Sequence, residues 1–127
     1  MPVSQGFVKY QLPALAWALL IFVASSIPGT AYPEVNIAGI DKVVHFSIYA
    51  TLCLFTYNAI RHQLRFPFLS RHAMVFSLIL TTLYGLSDET HQLFVPNREF
   101  DLKDLAADCT GASLGTAAHW LWGIIRS

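Results

Sequence analysis

With 127 residues, the chain is long enough for one domain and too short for two comfortable ones. Hydrophobic residues make up 54% and charged residues only 13%, about half the charged share of an ordinary soluble domain. The net charge of zero argues neither for nor against nucleic acid, but no basic cluster with interleaved aromatics stands out, so no such partner is expected. Too little polar surface remains to coat a core, and lipid is the expected solvent.

The first apolar segment runs from about Phe7 to Ile27 and stops at Pro28-Gly29. Its run Leu12 to Ile27 precedes "GTAYP", a weak cleavage site behind a thin basic region (Lys9 alone). The segment is therefore expected to be retained as a span and not lost as a signal peptide. The second segment covers Val43 to Ile60, and at its start Asp41, His45 and Tyr49 form an i, i+4, i+8 stripe. Asp41 can serve either as the N-cap of that helix or as part of a site. Cys53 and Cys109 lie inside apolar segments without metal-site spacing and read as small buried hydrophobes.

The third segment begins at Ala73 and reaches "SDETHQLF" after an almost wholly apolar run. Ending at Leu86, it would rise ~21 Å, short of a hydrocarbon core of ~30 Å. Continued to Val95, just before helix-stopping Pro96, it spans ~34 Å, so the helix is expected to run through the polar residues. Asp88, His91 and Gln92 then share one face, with Glu89 about 100° round from Asp88. That face should turn inward, because a charge on the lipid face costs several kcal/mol.

The fourth segment covers Leu105 to Ile125. Asp101 reads as its N-cap with Asp104 three residues on, and Asp104 and Asp108 form an i, i+4 pair. Gly111 and Gly115 make a G-x-x-x-G that lets a neighbouring backbone approach closely, in this chain or in a second copy. The connection "PNREFDLKD" supplies Arg98 and Lys103, cations placed to answer some of the acids. His119, between Trp120 and Trp122, reads as an interfacial anchor, and His62 and His72 as incidental loop residues.

No strand alternation persists. The expected fold is all-α: a polytopic membrane protein, one domain over 1–127, built as an antiparallel four-transmembrane-helix bundle with spans at about 7–27, 43–60, 73–95 and 105–125. Four spans put both termini and the second loop on one side, with Lys9, Arg61, Arg65, Arg71 and Arg126 and no acid. The other side holds Lys42, Arg98, Lys103 and all eight acids. Basic residues set orientation, so the termini are expected to be cytoplasmic and the acidic site outward.

The segments "DKVVHFSIYATL" and "YGLSDETHQLFVPNREFDLKDLAADCTGASLG" together resemble the VanZ-like family of small bacterial membrane proteins. The match spans Asp41 to Gly115 and rests on Asp41, Lys42, His45, Asp88, Glu89, His91, Gln92, Pro96, Arg98, Asp104, Gly111 and Gly115. It departs at Asp108, where the family usually shows Asn, and this adds a charge to the site. The resemblance implies a multi-pass protein of the bacterial cytoplasmic membrane and a link to resistance against teicoplanin, a lipid-tailed glycopeptide. It brings no agreed biochemical activity.

Three readings follow. In the leading one, Lys42, His45, Tyr49, Asp88, Glu89, His91, Gln92, Arg98, Asp104 and Asp108 line an outer pocket for an amphiphile, either a lipid-linked envelope precursor or the lipoglycopeptide. In the second, the protein is a hydrolase or transferase with His45, Asp88, Glu89 and His91 as its acid–base groups. A divalent cation held by His45, Asp88, His91 and Asp108 is compatible with that chemistry. In the third, the polar cluster only locks the helices together or binds a partner subunit.

Overall fold

The computed structural model describes residues 3–31, 39–98 and 102–127. Among them there is no strand, and four long helices carry the fold. Helix α1, Ser4–Ser26, is apolar around its whole circumference, with Val8, Leu15, Leu19, Leu20, Phe22 and Val23 all exposed. Its stretch Phe7–Gln11 is wound as a π helix. Pro13 follows, and its ring crowds the carbonyl four residues back and offers no N–H, which widens the turn before it.

Helix α2, Ile40–Arg61, opens after Gly39, whose φ of 79° suits a residue without a Cβ. A short helix α3, Pro67–Arg71, begins on a proline with preset φ. Helix α4 covers Ala73–Gln92 and helix α5 Leu102–Arg126. Helix α2 is the central element, packed most extensively by α5 and then by α4, while α1 lies against α2 and α4.

Small residues set the closest approach. A Cβ on Gly111 would overlap the carbonyl oxygen of Phe46, and one on Gly115 would sit 3.2–3.3 Å from Ala50. The Gly111–Gly115 face, a candidate for self-association, is thus occupied within the chain by α2. Helix α1 is tied on by side chains that reach backbone carbonyls: Trp17 Nε1 donates to Ile48 at 3.0 Å, Gln11 Nε2 to Ala59 at 2.9 Å, and the Tyr84 hydroxyl to Ala18.

The interior is more polar than the surface. Ile21, Tyr49 and Leu52 form a small apolar core, but Ser25, Ser77, Thr81, Asp88, Glu89, Gln92, Asp108 and Thr116 are also buried. Large apolar side chains of every long helix point outward. This inversion is what a lipid solvent demands, since polar groups there must find partners inside the bundle. Among the described residues two helices, α1 and α2, are long and apolar enough to cross a membrane. Helices α4 and α5 carry most of the polar interior, which shortens their uninterrupted apolar stretches.

Two boundaries differ from the expected ones. Helix α4 ends at Gln92, not Val95, because Leu93, Phe94 and Val95 close tighter turns onto Thr90, His91 and Gln92 ahead of Pro96. It still rises ~30 Å, so "SDETHQ" remains helical. Helix α2 starts at Ile40, which leaves Asp41 inside the first turn and gives the N-cap position to Gly39. The proposed cap Asp101 lies outside the described residues. Helix α3 was not anticipated. Both cysteines are free; Cys53 is buried as expected, with its Sγ 2.9 Å from Thr116 Oγ1, whereas Cys109 is only partly buried.

Candidate functional site

Three helices converge at one end of the bundle. Helix α2 brings Lys42, His45 and Tyr49 at i, i+3 and i+7, so all three lie along one face. Helix α5 brings Asp104 and Asp108 one turn apart, and α4 brings Asp88 and Glu89 from its last turns. The close crossing of α2 and α5 at Gly111 and Phe46 sits one turn below and holds the two stripes together.

Polarity is graded by depth. At the rim, the Lys42 ammonium bridges Asp41, at 2.8 Å, and Asp104. Below it, His45 presents Nδ1 to Asp108 Oδ1 at 2.9 Å and Nε2 toward Asp104 Oδ2 at 3.7 Å. A carboxylate can only accept, so the Nδ1–H donates to Asp108. The His45 side chain is 20% exposed, whereas that of Asp108 is 1%. Glu89 is fully buried, and one donor atom from each of His45, Glu89 and Asp108 falls within 4.8 Å of the others.

A second pair lies alongside. The Tyr49 hydroxyl donates to Asp88 Oδ2 at 3.0 Å in buried surroundings. Gly85 makes room for both pairs, since a Cβ there would lie 3.3 Å from the Tyr49 ring and from Asp108 Oδ2. That Asp108 oxygen, like Thr81 Oγ1, is buried without a hydrogen-bond partner among the described residues. An orphaned carboxylate oxygen at this depth carries a desolvation cost that a proton or a bound cation would relieve.

Not every expected residue joins the cluster. His91 turns to α1, with Nε2 2.9 Å from Ser26 Oγ and its ring stacked on Phe22 at 4.8 Å. The Ser26 hydroxyl already donates to Phe22 O, so His91 Nε2–H donates to it and the ring is engaged away from His45. In the donor set His45–Glu89–Asp108, Glu89 stands where the sequence pattern placed His91 and Asp88. Gln92 is buried and its amide lies 3.5 Å from Ser25 Oγ. Arg98 reaches the carbonyls of Ala24 and Ile27 at the end of α1. Asp41 is a rim residue, its side chain 62% exposed.

Sequence reasoning passed over the contribution of α1, through Ser25 and Ser26. It also passed over Ser77, Thr81 and Gly85. The spacing of Ser77, Thr81, Gly85 and Glu89 by fours traces the buried face of α4 and was the signal that could have placed Glu89 at its centre. His119 packs against Tyr57 with the rings tilted and their centroids 4.4 Å apart, and His62 stacks on Tyr10 at 4.0 Å, so His62 is engaged where it was expected to be incidental.

Chemically, the cluster can do two things. Donor atoms on a small octahedral cation at ~2.1 Å are about 3 Å apart, close to the His45–Asp108 separation, and a nitrogen with two carboxylates is a donor set for such an ion. Alternatively, a histidine oriented by a buried carboxylate is poised to accept a proton at its other nitrogen. The cluster itself is closely packed, and access to it is from the rim at Lys42, His45 and Asp104.

A family model described as VanZ/LLP1 matches residues 6–124. No curated protein and no solved structure gives a significant match.

Proposed function

Because the chain belongs to the VanZ/LLP1 family, we propose that it is a multi-pass protein of the bacterial cytoplasmic membrane that binds the polar end of an amphiphile at its acidic–histidine cluster. All four long helices span, both termini face the cytoplasm, and the cluster opens toward the outer leaflet. The excess of basic residues on the opposite side, five against three, supports this orientation. A divalent cation held by His45, Glu89 and Asp108 forms the contact to the amphiphile's phosphate or carboxylate, with Lys42 beside it as a counter-charge. The observation that carries the reading is the meeting of these three side chains, one from each of three helices, within 4.8 Å in the buried interior.

The amphiphile is a lipid-linked precursor of the cell envelope or the lipid-bearing end of a teicoplanin-type glycopeptide. Either role connects the site to glycopeptide resistance or envelope homeostasis. Purified protein in detergent tests it, by equilibrium binding of a polyprenyl-phosphate-linked sugar and of a lipid-tailed glycopeptide. Binding should weaken at least about tenfold in His45→Ala and Asp108→Asn and on removal of divalent cations. Unchanged affinity under all three conditions would exclude the cluster as the binding site.

The 2.9 Å contact of His45 with Asp108 favours a second reading, a membrane-embedded hydrolase or transferase. There His45 Nε2 accepts the proton of a nucleophilic water while Asp108 holds the ring. Turnover of the lipid-linked substrate by wild type, abolished in His45→Ala, distinguishes this reading from binding alone.

A further inference from the structure

A cleft lies at the opposite end of the bundle from the acidic cluster. It has a volume of about 620 Å³ and is lined by Tyr57 and Arg61 of α2, the loop at Gln63 and Leu64, Pro67, Ser70 and Arg71 of α3, and Ala73 and Met74 of α4. Its wall is built, not casual. Gln63 Oε1 accepts from the amides of Arg65 and Phe66 at 2.9 and 2.8 Å, and its Nε2 donates to Phe66 O and Ser70 Oγ. Ser70 Oγ in turn donates to Gln63 O at 2.9 Å, so loop and α3 are tied into one unit.

The charge around this cleft is unusual within the chain. Lys9, Arg65 and Arg126 each lie over an aromatic ring, Tyr10, Phe66 and Trp122. Arg61 and Arg71, which both line the cleft, have neither a ring nor a carboxylate partner among the described residues. Every described acid, from Asp41 to Asp108, lies toward the other end. The stacked pair Tyr10–His62 and the tilted ring pair Tyr57–His119 bring parts of α1 and α5 to the same level, giving an aromatic and basic rim of the kind that sits among headgroups.

We propose that this cleft is a binding site for the phosphate-bearing headgroup of an anionic membrane lipid. Arg61 and Arg71 grip the phosphate oxygens with their planar forks, and the Tyr57 ring, Leu64, Pro67 and Met74 take the glycerol and first acyl carbons. The apolar part of the wall favours an amphiphile over a free ion, since inorganic phosphate would leave it bare. This site is independent of the acidic cluster and of what that cluster binds.

The test is native mass spectrometry of the full chain in detergent, supplied with phosphatidylglycerol, phosphatidylcholine or inorganic phosphate. Wild type should retain one phosphatidylglycerol and little phosphatidylcholine, and phosphate should displace the lipid only weakly. The double variant Arg61→Gln/Arg71→Gln should lose retention by about tenfold or more. The double variant Arg65→Gln/Arg126→Gln removes the same charge outside the cleft and should keep the lipid. Circular dichroism of both variants confirms folding, and Arg61→Lys/Arg71→Lys, which keeps the charge, should restore part of the retention. Equal loss in both Gln double variants would overturn the proposal in favour of diffuse attraction. Retention without Arg61 and Arg71, or tight binding of phosphate with no retained lipid, would overturn it as well.

Discussion

Replacing Gly111 by alanine should loosen the helix pair that builds the acidic cluster. The added Cβ would overlap the Phe46 carbonyl oxygen and lie 3.0 and 3.1 Å from the Phe46 carbonyl carbon and Cα. These are backbone atoms in mid-helix, so they cannot rotate aside. Restoring ordinary carbon contacts of about 3.5–4 Å requires α2 and α5 to separate by roughly 1 Å. One turn away, the His45–Asp108 contact of 2.9 Å would then lengthen past hydrogen-bonding range. Overpacking of this kind costs about 1–3 kcal/mol, set against a gain of at most ~1 kcal/mol in helix propensity. Gly123 is the control on the same helix, because nothing lies within 4 Å of a Cβ there. Titration of both variants from mild detergent into denaturing detergent, followed by circular dichroism, reads the difference. Gly111→Ala should unfold earlier than wild type and Gly123→Ala no earlier. If the two variants match, the close crossing of α2 and α5 is not what holds the cluster together.

Removing the Tyr49 hydroxyl in Tyr49→Phe should cost about 1–3 kcal/mol in the same titration, because buried Asp88 Oδ2 loses its donor. Stability equal to wild type would mean Asp88 has found another partner. In intact cells, a cysteine at Leu64 should resist a membrane-impermeant thiol reagent and one at Asn97 should react. The reverse pattern would invert the proposed orientation. A cation binds only neutral imidazole and competes with the second proton of His45, so affinity should rise as pH is raised from about 5.5 to 7.5, and a flat profile would remove His45 from the ligand set.

Much of this fold is legible in the sequence because its polar residues are few and costly in lipid. The four apolar segments and Pro28 and Pro96 fix the helices to within a few residues. The strict spacings of His45 with Tyr49 and of Asp104 with Asp108 place those pairs on single faces. The face of α4 is harder. Asp88, Glu89, His91 and Gln92 span most of a turn, and polarity alone does not say which of them faces which neighbour. The small residues decide it: Ser77, Thr81 and Gly85 direct Glu89 inward, and Ser26 with Phe22 draws His91 toward α1. Neither effect follows from charge patterning, since both depend on where α1 and α5 lie. The basic cleft is illegible for the same reason, being made by the return of α3 over the junction of α2 and α4.

Electron paramagnetic resonance of Mn²⁺ with the purified chain tests most directly whether His45, Glu89 and Asp108 form one ligand set. Wild type should bind one ion per chain, with nitrogen coupling from His45. Glu89→Gln and Asp108→Asn should each weaken binding by about 10–100-fold, while Asp41→Asn at the exposed rim should leave it unchanged. An ion bound with equal strength in all four proteins, or no ion bound in wild type, would contradict the account.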